Sequence, residues 1–193
     1  KTWADTNSTV QGTELWALWG AAPGDLFAVG AAGTIIHYDG TAWSAMTSNT
    51  TGDLNWVWGS GSRDVYAVGN EGSLVHYDGS GWSAVDTGVT SFLLSVWGTG
   101  PNNVFVVGKA GTVLHYDGQA WSALDTGWSF DFWGVWGTGP SDVFLFSDID
   151  GVVHFDGTHF TRASASLHQA INYASGLNAT DVFAIEYTGQ GVF

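Results

Sequence analysis

The chain reads as short apolar runs punctuated by turn residues. Between residues 54 and 85 the runs are Leu54 to Trp58, Asp64 to Val68, Ser73 to Tyr77 and Trp82 to Val85, rich in β-branched and aromatic residues and separated by Gly, Asp, Asn and Ser. That pattern predicts four strands joined by tight turns. No stretch of about ten residues carries a helical period, so no helix is predicted. Apolar side chains fall on both faces of the runs, since Val57 adjoins Trp58 and Val75 and Tyr77 flank His76. A sheet that is apolar on both faces needs a neighbour on each side.

The pattern repeats. Trp-Gly begins at Trp19, Trp58, Trp97 and Trp136, each 39 residues after the last, and Ser175-Gly176 holds the fifth position. His37, His76, His115 and His154 keep the same interval, as do Asp25, Asp64, Asn103, Asp142 and Asp181. A unit of this length with four short strands, apolar on both faces, is the blade of a β-propeller. The repeats begin near Leu15, Leu54, Leu93, Phe132 and Ile171. The fold class expected is therefore all-β, one propeller domain spanning residues 1–193.

The ends set the expected blade number. Trp43, Trp82, Trp121 and Phe160 open the outermost strand of successive blades, and Trp3 stands 40 residues before Trp43. The chain is thus expected to begin in an outer strand over residues 1–12. Phe193 lies 39 residues after His154, inside a third strand. One outer strand at the start and three strands at the finish complete a fifth blade, and their pairing would leave no open sheet edge at the seam.

Composition narrows the function classes. The 193 residues include 28 Gly, 12 Trp and no Cys, and 18 Asp plus Glu oppose 4 Lys plus Arg for a net charge of −14. Without cysteine there is no disulfide and no thiolate metal site. So acidic a surface repels phosphate backbones, which excludes nucleic acid as the expected partner. No apolar run is long enough for a helical membrane span. An acidic, Lys-poor, Cys-free propeller is expected at a bacterial exterior or cell surface, as a monomer.

The Asp-Gly-x-x-Trp segments at Asp39, Asp78, Asp117 and Asp156 read as hairpins, with the carboxylate on nearby backbone N–H groups and Gly supplying positive φ. Asp25, Asp64, Asp142 and Asp181, with Asn103, are expected to cap the turn after Trp-Gly, and each repeated His is expected to be a packed or hydrogen-bonded strand residue. The Gly-Thr-x-x-His-Tyr-Asp-Gly-x-x-Trp segments, preceded by Ala28-Val29-Gly30 and Ala67-Val68-Gly69, resemble a shortened Asp-box, the hairpin motif of sialidase-like and related bacterial repeat propellers. The five-blade number is also similar to the tachylectin type of sugar-binding propeller. The resemblance implies a fold rather than an activity, and structural roles for the motif residues.

No nucleophile motif such as Gly-x-Ser-x-Gly is present, and with only Arg63 and Arg162 the arginine cluster of sialidase chemistry is missing. No catalytic residue and no cofactor are therefore expected. Asp148 and Asp150, with Glu186 in the corresponding loop of the next repeat, are weak candidates for an oxygen-ligand cation site; the competing reading is a solvated acidic loop. Positions that depart from the repeat are where individual function can reside. Trp16, Trp56, Trp128 and Trp133 lie outside the two repeated Trp positions, in or just after the connections between repeats, with Phe92, Phe130 and Tyr173 in the same region and Asn55, Glu71, Asp131 and Asn172 among them. Two readings stand: these rings fill the channel and the gaps between inner strands, or they form an aromatic surface for sugar C–H faces flanked by amides and carboxylates. On the second reading Trp16, Asn55, Trp56, Trp128, Phe130, Trp133 and Tyr173 bind ligand, and a glycan is the first expected partner; a surface protein bound by an interaction scaffold is the alternative.

Overall fold

The structure, a computed structural model, describes residues 13–147, 149, 151–164, 171–178 and 181–186, the last two stretches through their backbone. It is all-β, with four antiparallel sheets of four strands, each a simple meander. Sheet one holds β1 (Leu15–Ala22), β2 (Asp25–Gly30), β3 (Ile35–Tyr38) and β4 (Trp43–Met46); sheet two holds β5 (Leu54–Gly61), β6 (Asp64–Gly69), β7 (Leu74–Tyr77) and β8 (Trp82–Ala84). Sheet three holds β9 (Leu93–Gly100), β10 (Asn103–Gly108), β11 (Val113–Tyr116) and β12 (Trp121–Ala123); sheet four holds β13 (Phe132–Gly139), β14 (Asp142–Ser147), β15 (Val152–Phe155) and β16 (Phe160–Ser164). A fifth repeat is present as the antiparallel pair β17 (Ile171–Asn178) and β18 (Asp181–Glu186). The expected outer strand over residues 1–12 and the third strand ending at Phe193 lie outside the described residues.

Two local features differ from the sequence reading. The first strand of each sheet runs on past its Trp-Gly, as in sheet two, where Gly59 and Gly61 still pair with Val65 and Asp64 across a register shift. The loops between second and third strands contain 3-10 turns, Ala31–Gly33 and Asn70–Gly72, where no helix was expected. Three residues are too few to show a helical period. The middle residue of each turn is left-handed, Ala32 at φ 52° and Glu71 at φ 56°.

The chain forms two compact units, residues 1–90 and 91–193. In the first, Phe27, Val29 and Ile35 of sheet one, with Ala17, Trp19 and Met46, pack against Leu54, Val57, Val65, Ala67, Val75 and Trp82 of sheet two. The Phe27 ring meets Tyr77 at 5.5 Å and Trp82 edge-on at 6.1 Å, and the Trp82 indole N–H points to the Met46 sulfur at 3.5 Å. The second unit repeats this arrangement. Phe105, Val107 and Val113 of sheet three pack with Phe132, Val135, Val143, Leu145, Val153 and Phe155 of sheet four. Each Leu, Val or Phe buried this way contributes about 1.5–3 kcal/mol.

The other face of sheet one is open. Leu15 is 42% and Leu18 61% exposed, whereas the residues at the same repeat positions of sheet two, Leu54 and Val57, are 0% and 3% exposed. A cleft of about 400 Å³ lies along this face, lined by Leu15, Trp16, Ala17, Leu18, Ala28, Ile36 and Trp43.

The sheets are locked to the preceding connection by close backbone contact. A Cβ on Gly69, at the end of β6, would overlap the carbonyl oxygen of Asp53, and Gly108 stands in the same relation to Phe92. Gly100, at the end of β9, has open space around it. Gly69→Ala is therefore expected to lower unfolding free energy by about 1–3 kcal/mol. Gly100→Ala should stay within about 0.5 kcal/mol of the parent. Urea unfolding of the two variants checks the contrast.

Candidate functional site

In each unit the variable aromatic residues lie at the end of the sheets where the turns between second and third strands and the connections between repeats emerge. An acidic side chain organises this end in each unit. In the first unit the Asp53 carboxylate accepts the Ala32 backbone N–H at 2.9 Å and the Asn70 side-chain amide at 3.1 Å, while its carbonyl accepts the Asn70 backbone N–H at 2.9 Å. Asn70 in turn accepts the Asn55 amide at 3.1 Å. One carboxylate thus ties the left-handed turn of sheet one to sheet two. In the second unit Asp131 does the same for Ala110, at 3.0 Å, where φ is 54°.

Most of the candidate rings are built into the scaffold. Trp128 stacks on Phe130 with centroids 5.8 Å apart, Phe130 meets the buried Phe132 edge-on at 5.1 Å, and both rings pack on the core of the second unit. Trp56 is half-buried in β5, opposite Val68. Trp133 is half-buried, and its indole N–H is buried without an acceptor among the described residues. Trp16 is the exposed member, at 44%, on the open face of sheet one. Phe92, placed by the sequence in the same region but not among the expected ligand-binding residues, is also exposed, with the Lys109 ammonium 5.1 Å above its ring. Its signal was the lone cation of the second unit's turn, Lys109, beside an aromatic connection. For Tyr173 the structure describes the backbone, in β17. Asp148 and Asp150 lie outside the described residues, and Glu186 is described as the last backbone position of β18. Among the described residues no three His, Asp or Glu side chains gather as a metal set.

The opposite ends of the sheets carry the repeated polar residues. His37 Nε2 lies 2.6 Å from Asp25, His76 2.7 Å from Asp64 and His154 2.8 Å from Asp142. The Asp residues thus reach across to the third strand, where turn-capping alone was expected; Asp64 and Asp142 also accept the hydroxyls of Ser60 and Thr138 in the turn. Each ring also packs on its cross-strand aromatic partner, tilted for Phe27 and His37 and for Phe144 and His154, and stacked with centroids 4.3 Å apart for Tyr66 and His76 and for Phe105 and His115. In sheet three the acid is replaced. Asn103 accepts from His115 at 2.8 Å and donates to Thr99 at 2.8 Å, so the hydroxyl bond reverses direction. Burial holds the His115 pKa below its usual 6.5, only partly opposed by the nearby Asp117 charge.

In these chains the carboxylate sits between hydroxyl and imidazole. The Ser60 and Thr138 protons point at Asp rather than at a His base, which is not the arrangement that activates a nucleophile. The Asp-Gly hairpins are likewise internal. Asp78 accepts the Ser80 hydroxyl at 2.6 Å and the backbone N–H groups of Ser80 and Gly81, which hold its carboxyl at about 2. Asp39, bound first by the Thr41 hydroxyl, and Asp156, bound first by the His159 backbone N–H, are also held at about 2. Asp117 is lowered by the Ala120 and Gln119 N–H groups.

No family model matches the chain, and no curated protein matches it. Solved structures do. YCF48 bound to D1 peptide superposes with a TM-score of 0.67 at 16% identity, over 92% of this chain and 63% of its own. YCF48 from Cyanidioschyzon merolae gives 0.66 at 17%, over 91% and 65%. The WD40 β-propeller domain of Doa1 gives 0.77 at 11%, over 93% and 64%. The chain therefore spans a little under two thirds of the length of these structures, and it shares their fold, a propeller of four-stranded repeats.

Two titrations follow from the polar ends. Because the His115 pKa is depressed, its contribution to stability is complete above about pH 6.5 and is lost as pH falls toward the lowered value. Asn103→Asp supplies a charge partner and should raise the His115 pKa, read by NMR of the ring protons. Asp78, Asp39 and Asp156 contribute stability above about pH 4 that is lost as pH falls through about 2. In Asp78→Ala the melting temperature should accordingly fall less steeply over that window than in the parent.

Proposed function

We propose that the chain is a non-enzymatic protein-binding module at a cell exterior, recognising a polypeptide through the end of the sheets that carries the variable residues. One observation carries this reading: within each unit the positions that vary between repeats lie at that end of its sheets, while carboxylates, imidazoles and hydroxyls of the opposite end are consumed in scaffold pairs. A sugar platform needs exposed rings flanked by free amides and carboxylates. Here Trp128 and Phe130 pack on the core, and Asp131 is already hydrogen-bonded. A structural neighbour that holds a peptide, YCF48, supports the protein reading over the glycan one.

The scaffold we infer for it is a monomeric five-bladed ring, closed by residues 1–12 pairing with the strands of the fifth repeat. The continuation of the period into β17 and β18 and the uncovered apolar face of sheet one support it.

Parallel screening of the full chain on a glycan array and against a displayed library of random linear peptides tests the function. Peptides should enrich and no sugar should saturate; saturable glycan binding without peptide enrichment contradicts the reading. Removal of residues 1–12 should lower the melting temperature, and a truncated monomer that melts like the parent contradicts the closure.

A further inference from the structure

The first strand of every repeat contains a β-bulge at its second residue. Pairing with the second strand skips from Leu15 to Ala17, from Leu54 to Trp56, from Leu93 to Ser95, from Phe132 to Gly134 and from Ile171 to Tyr173. The skipped residues are Trp16, Asn55, Leu94, Trp133 and Asn172. The residue before each bulge is invariably a large aliphatic or Phe. The bulge residue itself is aromatic, amide or aliphatic by turns. A bulge frees one residue from the ladder and re-aims its side chain, so the scaffold fixes the place without dictating the chemistry. That is what a recognition position on a repeat requires.

The occupants are not equivalent. Asn55 is hydrogen-bonded to Asn70, and Leu94 has nothing to donate. Trp133 carries a buried indole N–H with no acceptor among the described residues, an unfavourable state for a donor. Indole is a donor only, so the missing group is an acceptor oxygen. With Asp131 two residues away and a net charge of −14, an anionic acceptor is disfavoured and a neutral oxygen is favoured, of which the amide carbonyl is the strongest acceptor. A polypeptide backbone offers one at every residue.

We propose that the bulge residues are the specificity-determining positions of the module, and that Trp133 recognises an extended peptide by turning its indole N–H onto a backbone carbonyl. This rests on the protein-binding reading. The test uses the full chain, with peptides selected from the random linear library, in three forms: the parent, Trp133→Phe, and the exchange Asn55→Trp with Trp133→Asn. Phe keeps the ring and removes the unpaired donor. Its melting temperature should equal or exceed that of the parent, while affinity for selected peptides falls about tenfold. The exchange places at each bulge a residue the same bulge already accepts in another repeat. It should therefore stay folded and select a different set of peptides.

A lower melting temperature in Trp133→Phe would show that the donor serves the fold and would overturn the proposal. So would peptides that bind all three forms alike, with the protein-binding reading left intact. Failure of the parent to select any peptide overturns that reading and this inference together.

Discussion

Everything else in the structure depends on the packing of one sheet face on the next. No single sheet here can stand alone, because Phe27, Val29 and Ile35 point to one side of sheet one while Ala28 and Ile36 point to the other. A four-stranded meander that is apolar on both faces is stable only between neighbours. The inner interfaces of both units show the solution: aliphatic residues of one sheet fill against aromatic residues of the previous one, and the outer-strand Trp82 closes the gap with its N–H on Met46. The open face of sheet one, with Leu18 exposed where Val57 is covered, shows the same surface without a neighbour.

Polar groups then fix what apolar packing leaves loose. Hydrophobic contact is non-directional. The Asp53 carboxylate supplies direction at one end by holding the left-handed Ala32 turn, and the His and Asp pairs supply it at the other by joining second and third strands. The cost of these carboxylates is kept low because, among the described residues, most accept hydrogen bonds from their own turns. The same economy explains why the acidic residues offer little free chemistry, and why the residues available for recognition are those the repeat does not constrain.

Much of the fold was legible in the chain because the period is strict. Trp-Gly, His and Asp-Gly recurring together place four strands per repeat, and the strands fall where the apolar runs do. The His and Asp pairing was also within reach: Asp64 and His76 recur at the same interval and stand a constant 12 residues apart, a spacing that antiparallel neighbours joined by the turn at Asn70–Gly72 make into a contact. The bulges were not legible. In a strand that is polar on one face a one-residue slip disturbs the alternation. In Leu54-Asn55-Trp56-Val57-Trp58, with apolar residues on both sides, it leaves no trace. For that reason alternation, which offers Trp16 or Trp133 as a channel plug, did not decide between filling and binding.

The central claim, that each sheet borrows its stability from the next, is tested most directly by hydrogen exchange on Leu54→Ala. Leu54 belongs to sheet two and is fully buried in the interface with sheet one. Loss of its side chain should remove about 2–5 kcal/mol. The account predicts that amide protection falls by similar factors in β1 to β4 and in β5 to β8. Loss confined to β5 to β8, with sheet one as protected as before, would contradict it.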